Sequence, residues 1–182
     1  MNDLCVEAAY KSIIKYGEQL CGDMVQIVRD DDSVTLVLAD GLGSGVKANI
    51  LSTLTSKIIS TMIAEKMTVD DCVDTVIATL PVCKVRGVAY STFTIIRIIS
   101  NRYAHIIQYD NPRLILLRGG KSFDYPTETR TVAGREIAES TVEIEEGDVF
   151  IAMSDGAIYA GVGETMNFGW QLPDIIKFTE EN

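Results

Sequence analysis

The sequence is poor in the side chains that most enzyme chemistry needs. It holds one histidine, His105, in 182 residues. A Ser–His or Cys–His nucleophile pair has little to draw on, and a zinc site lacks its usual nitrogen donors. The four cysteines, Cys5, Cys21, Cys72 and Cys83, form no Cys-x-x-Cys pair. They read as reduced core residues. Positive charge is also scarce: 16 Lys and Arg stand against 26 Asp and Glu, for a net charge of -10. A phosphate backbone needs a basic face, so nucleic acid is excluded as a partner. No run of 18 apolar residues occurs, and the start, Met1-Asn-Asp-Leu-Cys5, has no basic-then-apolar signal. A cytoplasmic protein with no membrane partner is expected. Repeats and low-complexity segments are missing too, and the length suits a single domain.

What is present centres on Ser33 to Asn49. Val34 to Ala39 read as a buried strand. Asp40 follows, then Gly41, Gly43 and Gly45 alternate with Leu42 and Ser44. A helix then starts, with Val46, Ile50, Leu54 and Ile58 on one stripe. A capping Asp in a plain turn does not need three glycines. A phosphate cradle fits poorly, because the spacing is Gly-x-Gly-x-Gly, no Gly-Lys-Ser/Thr follows, and Asp40 would face the anion. A hard-cation site fits better, with the Asp40 carboxylate and the Gly41 carbonyl as oxygen donors. It requires further carboxylates.

Leu4 to Ile14 is expected to be a strand, and Asp23 to Arg29 another. Asp30 to Ser33 reads as a solvated hairpin tip. Val34 to Asp40 then returns antiparallel, which puts Asp23 and Asp40 at the same end of the sheet. Gly45 to about Lys66 and Val69 to about Leu80 read as a helical hairpin. The Ser and Thr residues of the first helix mark a solvated or closely packed face. Strands follow at Tyr90–Ser100, Tyr103–Tyr109, Arg113–Arg118, Ser140–Glu145 and Val149–Met153, with an irregular stretch carrying short strands from Lys121 to Arg135. Pro173 to Phe178 starts a last helix. His105 falls in a strand and reads as structural. Strands, two helices, then strands again imply an α+β fold of antiparallel sheets with helices outside.

Met153-Ser-Asp155-Gly156 repeats the pattern of Leu38-Ala-Asp40-Gly41. Two strand-end Asp-Gly pairs plus Asp23 would gather three carboxylates, which divalent cations could hold together. Such ions can activate water and clamp a phosphoryl oxygen.

Five segments in order then resemble the SpoIIE-type branch of the PP2C (PPM) metal-dependent serine/threonine phosphatases. They are Cys21-Gly-Asp23, Ala39-Asp-Gly-Leu-Gly-Ser-Gly45, Tyr90-Ser-Thr-Phe93, Asn111-Pro-Arg-Leu-Ile-Leu-Leu-Arg118 and Glu146 to Gly156. The resemblance implies a PP2C-like antiparallel β-sandwich with helices on its outer faces and two Mn²⁺ or Mg²⁺ ions at one end. By motif matching, Asp40 would bridge the two ions, Asp23 and the Gly41 carbonyl would hold one, and Asp155 the other. Asp40 and Asp155 would thereby carry the catalysis, with a metal-activated water attacking phosphoserine or phosphothreonine. The implied partner is a phosphorylated bacterial regulatory protein such as an anti-sigma-factor antagonist, and a homodimer is compatible with the pattern. One departure stands out. The family's last metal-binding Asp, in a strand after Ser-Asp-Gly, has no counterpart before Asn182, and Asp174 sits in a helix-like context. The expectation is a single PP2C-like domain over residues 1–182, truncated at its C-terminus with the last strand missing. The rivals are a PP2C-fold binding or regulatory module without turnover and, more weakly, a nucleotide-binding loop at Gly41 to Gly45.

Overall fold

The computed structural model describes residues 4–79, 91–163 and 166–181. Four layers stack in the order helices, sheet, sheet, helices. The larger sheet contains β1 (Asp23–Arg29), β2 (Ser33–Gly41), β3 (Ser91–Ile99), β4 (Tyr103–Tyr109), β7 (Glu128–Val132) and β8 (Arg135–Glu143). Their order across the sheet is β1-β2-β3-β4-β8-β7, and every pairing is antiparallel. A smaller sheet has β5 (Ile115–Arg118) between β6 (Lys121–Ser122) and β9 (Val149–Ile151). Helices α1 (Gly45–Ala64) and α2 (Val69–Thr79) cover the larger sheet. Helices α3 (Asp155–Ile158) and α4 (Leu172–Glu181) lie against the smaller one.

Alternation along the strands creates the two inner faces. Val37, Ala39, Phe93, Ile95, Ile107 and Tyr109 point to α1 and α2, where they meet Ile59, Val73, Val76 and Ile77. The intervening residues Ile96 and Ile106 point the other way, to Leu114, Leu116 and Tyr125. Each fully buried aliphatic side chain contributes roughly 1.5–3 kcal/mol. Polar anchors fix the remaining elements. The Arg118 guanidinium grips Asp148 through Nε at 2.9 Å and Nη2 at 2.7 Å, which makes the Glu146-Gly-Asp148 turn a structural clamp. Arg130 links Glu139 to Asp70 and Asp74 on α2 at 3.0–3.1 Å. His105 Nε2 lies 2.6 Å from Glu139 Oε1, so the lone histidine belongs to this tether.

Four expectations need correction. Leu4 to Ile14 is not a strand: the segment has no regular structure and is largely exposed. Its residues Ala8-Ala-Tyr-Lys-Ser-Ile-Ile14 alternate no apolar face, so pairing would bury nothing. It is held by the Val6 carbonyl, which accepts from Arg29 Nη1 at 3.3 Å. On α1 the apolar stripe faces outward, and the Ser and Thr residues form the closely packed face. Val46, Ile50 and Leu54 are exposed and Ile58 is partly buried, while Ser52, Thr55, Ser56 and Ser60 are buried. Small side chains let the helix approach the sheet closely, and each hydroxyl is satisfied inside the helix. Thr55 Oγ1 donates to the Leu51 carbonyl at 2.9 Å and Ser52 Oγ to that of Asn49 at 3.1 Å. Strand β8 begins at Arg135, earlier than its alternation suggests, because Ile137 serves the helix-side core and Val142 the core between the sheets. Of the three described cysteines, Cys72 is buried, whereas Cys5 is exposed and Cys21 half-buried. Cys83, Leu80 and Tyr90 lie outside the described residues.

Candidate functional site

The hairpin of β1 and β2 places Asp23 opposite Asp40 in register. Asp40 stands at the end of a nine-residue strand whose inner residues are buried, so its position is set by the core. The chain then turns sharply. Gly43 and Gly45 have φ of +103° and +66°, a region costly for residues with a Cβ. Gly41 is required for a different reason. A Cβ there would lie 2.0 Å from the Ala48 carbonyl oxygen of α1.

The turn is fixed on both sides. The Gly41 N–H donates to the Gly22 carbonyl at 3.2 Å, and Asn49 Nδ2 donates to the Cys21 carbonyl at 2.9 Å. Ser44 Oγ donates to Glu18 Oε1 at 2.5 Å, which sets a carboxylate beside the first turn of α1. The Asp40 carbonyl accepts from Ser91 Oγ at 2.9 Å. Thr92, the register partner of Asp40, donates through Oγ1 to Asn111 Oδ1 at 2.7 Å.

Asp155 arrives from the other sheet, at the start of the four-residue helix α3 after β9. Its neighbour Ser154 is bonded to Asp23, the register partner of Asp40, and the charges of Asp23 and Asp155 both act on Asp40. The sequence-predicted carboxylates therefore meet at one end of the sandwich. Burial first, then the charges of Asp23 and Asp155, push the Asp40 carboxyl up from 3.8 to about 8. Asp174 sits in the first turn of α4.

Glu18, Asn49 and Ser154 were not singled out by pattern. Glu18 and Asn49 act across 26 and 28 residues of chain and leave no local signature. Ser154 had one, the Ser-Asp-Gly triplet itself. Its Oγ donates to Asp23 Oδ2 at 2.9 Å and so ties the two sheets together at the carboxylates. An outer hydrogen bond of this kind aims a ligand oxygen. Ser154→Ala is expected to weaken Mn²⁺ binding roughly tenfold, with Ser154→Thr restoring it, as read by calorimetry. Equal affinity in all three proteins would leave Ser154 no orienting role.

The donor chemistry fits a hard cation: carboxylate oxygens and a backbone carbonyl, while the nearby Cys21 Sγ is taken up by the Asp23 N–H at 3.4 Å. Among the described residues, no three acidic, His or Cys side chains already form a cage for an ion.

A search of curated proteins gives no match. Among solved structures, the PP2C phosphatase domain of SpoIIE from Bacillus subtilis superposes with a TM-score of 0.71 at 17% identity, covering 84% of this chain and 46% of that one. RsbX, crystallised with magnesium, gives 0.63 at 24% identity, covering 94% and 84%. The RsbU and RsbW domains of a Mycobacterium tuberculosis protein give 0.73 at 16% identity, covering 93% and 48%. The chain thus spans about half the length of two of these three structures. The fold is that of PP2C phosphatase domains. In sequence, residues 30–174 match the Stage II sporulation protein E (SpoIIE) family, most of the chain's length, and the protein belongs to that family.

Proposed function

We propose that this domain is a metal-dependent phosphatase acting on phosphoserine or phosphothreonine in a regulatory phosphoprotein. The observation that carries it is the placing of Asp40 between Asp23 and Asp155 at the sandwich end. Three acids drawn together at some energetic cost are a store of affinity for divalent cations. In this reading Asp23, Asp40, the Gly41 carbonyl and Asp155 would hold the ions. Bound Mn²⁺ or Mg²⁺ would supply Lewis acidity toward a phosphoryl oxygen and lower the pKa of water. The chain's own part is to shed the Asp40 proton on loading and to hold Asp23 through Ser154. The rigid strand ends keep the oxygens in place while substrate arrives. The SpoIIE-family membership and the PP2C fold support this reading.

Mn²⁺ titrated calorimetrically into the wild type and Asp155→Asn, alongside hydrolysis of p-nitrophenyl phosphate, tests it. One or two ions are expected on the wild type, at least one fewer on the variant, and activity lower by about 10²-fold or more. Full Mn²⁺-dependent activity in Asp155→Asn would refute the ligand assignment. Metal binding without turnover of any phosphoester would favour a PP2C-fold binding module.

A further inference from the structure

Beside the carboxylates, the same end of the sandwich carries a cavity of about 900 Å³. It opens where β4 ends. Gln108, Tyr109 and Asp110 line it, together with Gly134 of the turn between β7 and β8. Asn111 belongs to both regions. It lines the cavity, and its side chain accepts from Thr92, the register partner of Asp40. Two strand spacings, about 10 Å, separate Asp40 on β2 from the end of β4. An extended peptide advances about 3.3 Å per residue. A phosphoseryl group at the carboxylates would therefore put residues three to five positions away in the cavity.

The cavity holds two arginines in a chain of net charge -10. Each is mounted on an aromatic ring, Arg113 over Tyr125 at 4.6 Å and Arg135 over Tyr109 at 5.8 Å. Stacking holds the Arg113 guanidinium flat, and its Nη2 also donates to the Tyr125 carbonyl at 2.7 Å. Arg113 meets Asp124 through Nη2 at 2.7 Å, but the Asp124 side chain is 87% exposed, so this pair is weak and exchangeable. Asp110 and Glu136 also line the space and are exposed. They would repel an acidic residue placed anywhere except against Arg113, which sharpens the selection.

We propose that this cavity is the docking subsite for the peptide flanking the phosphoserine, and that it selects an acidic residue three to five positions from the phosphoryl group. The inference rests on the phosphatase reading for its alignment with the carboxylates.

The test uses peptides carrying phosphonomethylalanine, a phosphoserine mimic that cannot be hydrolysed. Each has Glu, Ala or Lys three to five positions from the mimic, and binding is read by fluorescence anisotropy with Mn²⁺. Wild-type hydrolysis of p-nitrophenyl phosphate is measured beside it. The Glu peptide is expected to bind five- to tenfold more tightly than the Ala peptide. Arg113→Ala should erase that ratio. Glu136→Lys, at an exposed position, should enlarge it and keeps the test decisive should Arg113→Ala fail to fold. Equal affinities for Glu and Ala peptides, or tighter binding of the Lys peptide, would overturn the subsite even if p-nitrophenyl phosphate is cleaved. A Glu preference that depends on Arg113, in a protein that cleaves no phosphoester, would keep the subsite and remove the phosphatase reading.

Discussion

Replacing Asp40 with Asn is expected to stabilise the metal-free domain at pH 8 while abolishing metal-dependent activity. The sign follows from the raised pKa. Burial and two neighbouring carboxylates lift Asp40 from 3.8 to about 8, so the fold favours the neutral form. That contribution is fully present below about pH 4 and is lost as pH rises toward 8. Wild-type stability in EDTA should therefore decline over this window, with most of the Asp40 part gone by pH 8.5. An uncharged Asn escapes the decline. A shift of four units would be worth about 5 kcal/mol for a wholly enclosed group. Asp40 is half-buried, and solvent screening reduces the effect to about 2 kcal/mol. That corresponds to about 4–8 °C in Tm for a domain of this size. Urea melts at pH 5 and pH 8.5 check it, and the two proteins should converge at the lower pH. Added Mn²⁺ should reverse the order, stabilising only the wild type. If Asp40→Asn is the less stable protein at pH 8.5 in EDTA, the carboxylates do not crowd one another.

This site was largely legible because its acids sit at strand ends. A strand fixes where its last residue goes, so the hairpin reading of Asp23 and Asp40 became their observed register. Asp155 followed from the second apolar run ending in Asp-Gly. What stayed hidden was the set of contacts between segments far apart in sequence. Ser154 to Asp23 spans 131 residues, and no periodicity reports such a bond. Helix α1 shows a different limit. Its apolar stripe Val46–Ile50–Leu54 is exposed, and of the two readings of the serines and threonines, solvated or closely packed, the second holds. Hydrophobic periodicity measures side chains alone, whereas close helix–sheet packing also rewards small volume and hydroxyls that can satisfy themselves on the helix backbone. The segment from Leu4 failed for the complementary reason. Strand propensity without an alternating face gives the chain nothing to bury.

Gly41→Ala should be the most damaging small substitution in the glycine turn, and Gly43→Ala a milder one. Positive φ alone would rank them the other way, since Gly43 has a φ of +103° and Gly41 is the last residue of β2. Space decides the order. A Cβ at Gly43 meets nothing within 4 Å, so its cost is backbone strain of about 1–2 kcal/mol. A Cβ at Gly41 would sit 2.0 Å from the Ala48 oxygen, 2.6 Å from its carbonyl carbon and 2.8 Å from its Cα. All three are helix backbone, and no rotamer change can clear them. Helix α1 cannot back away cheaply, because Ser52, Thr55 and Ser56 are fully buried beneath it and Asn49 is bonded to Cys21. The expected loss for Gly41→Ala is about 3 kcal/mol, at the upper end for overpacking. Moving β2 instead would carry Asp40 with it, so the folded fraction should also bind Mn²⁺ less tightly. Urea denaturation of both variants in EDTA, with Mn²⁺ calorimetry on the folded protein, separates these effects. A Gly41→Ala cost below that of Gly43→Ala would mean that α1 is not seated on the strand end, and the carboxylate geometry built on that seat would fall with it.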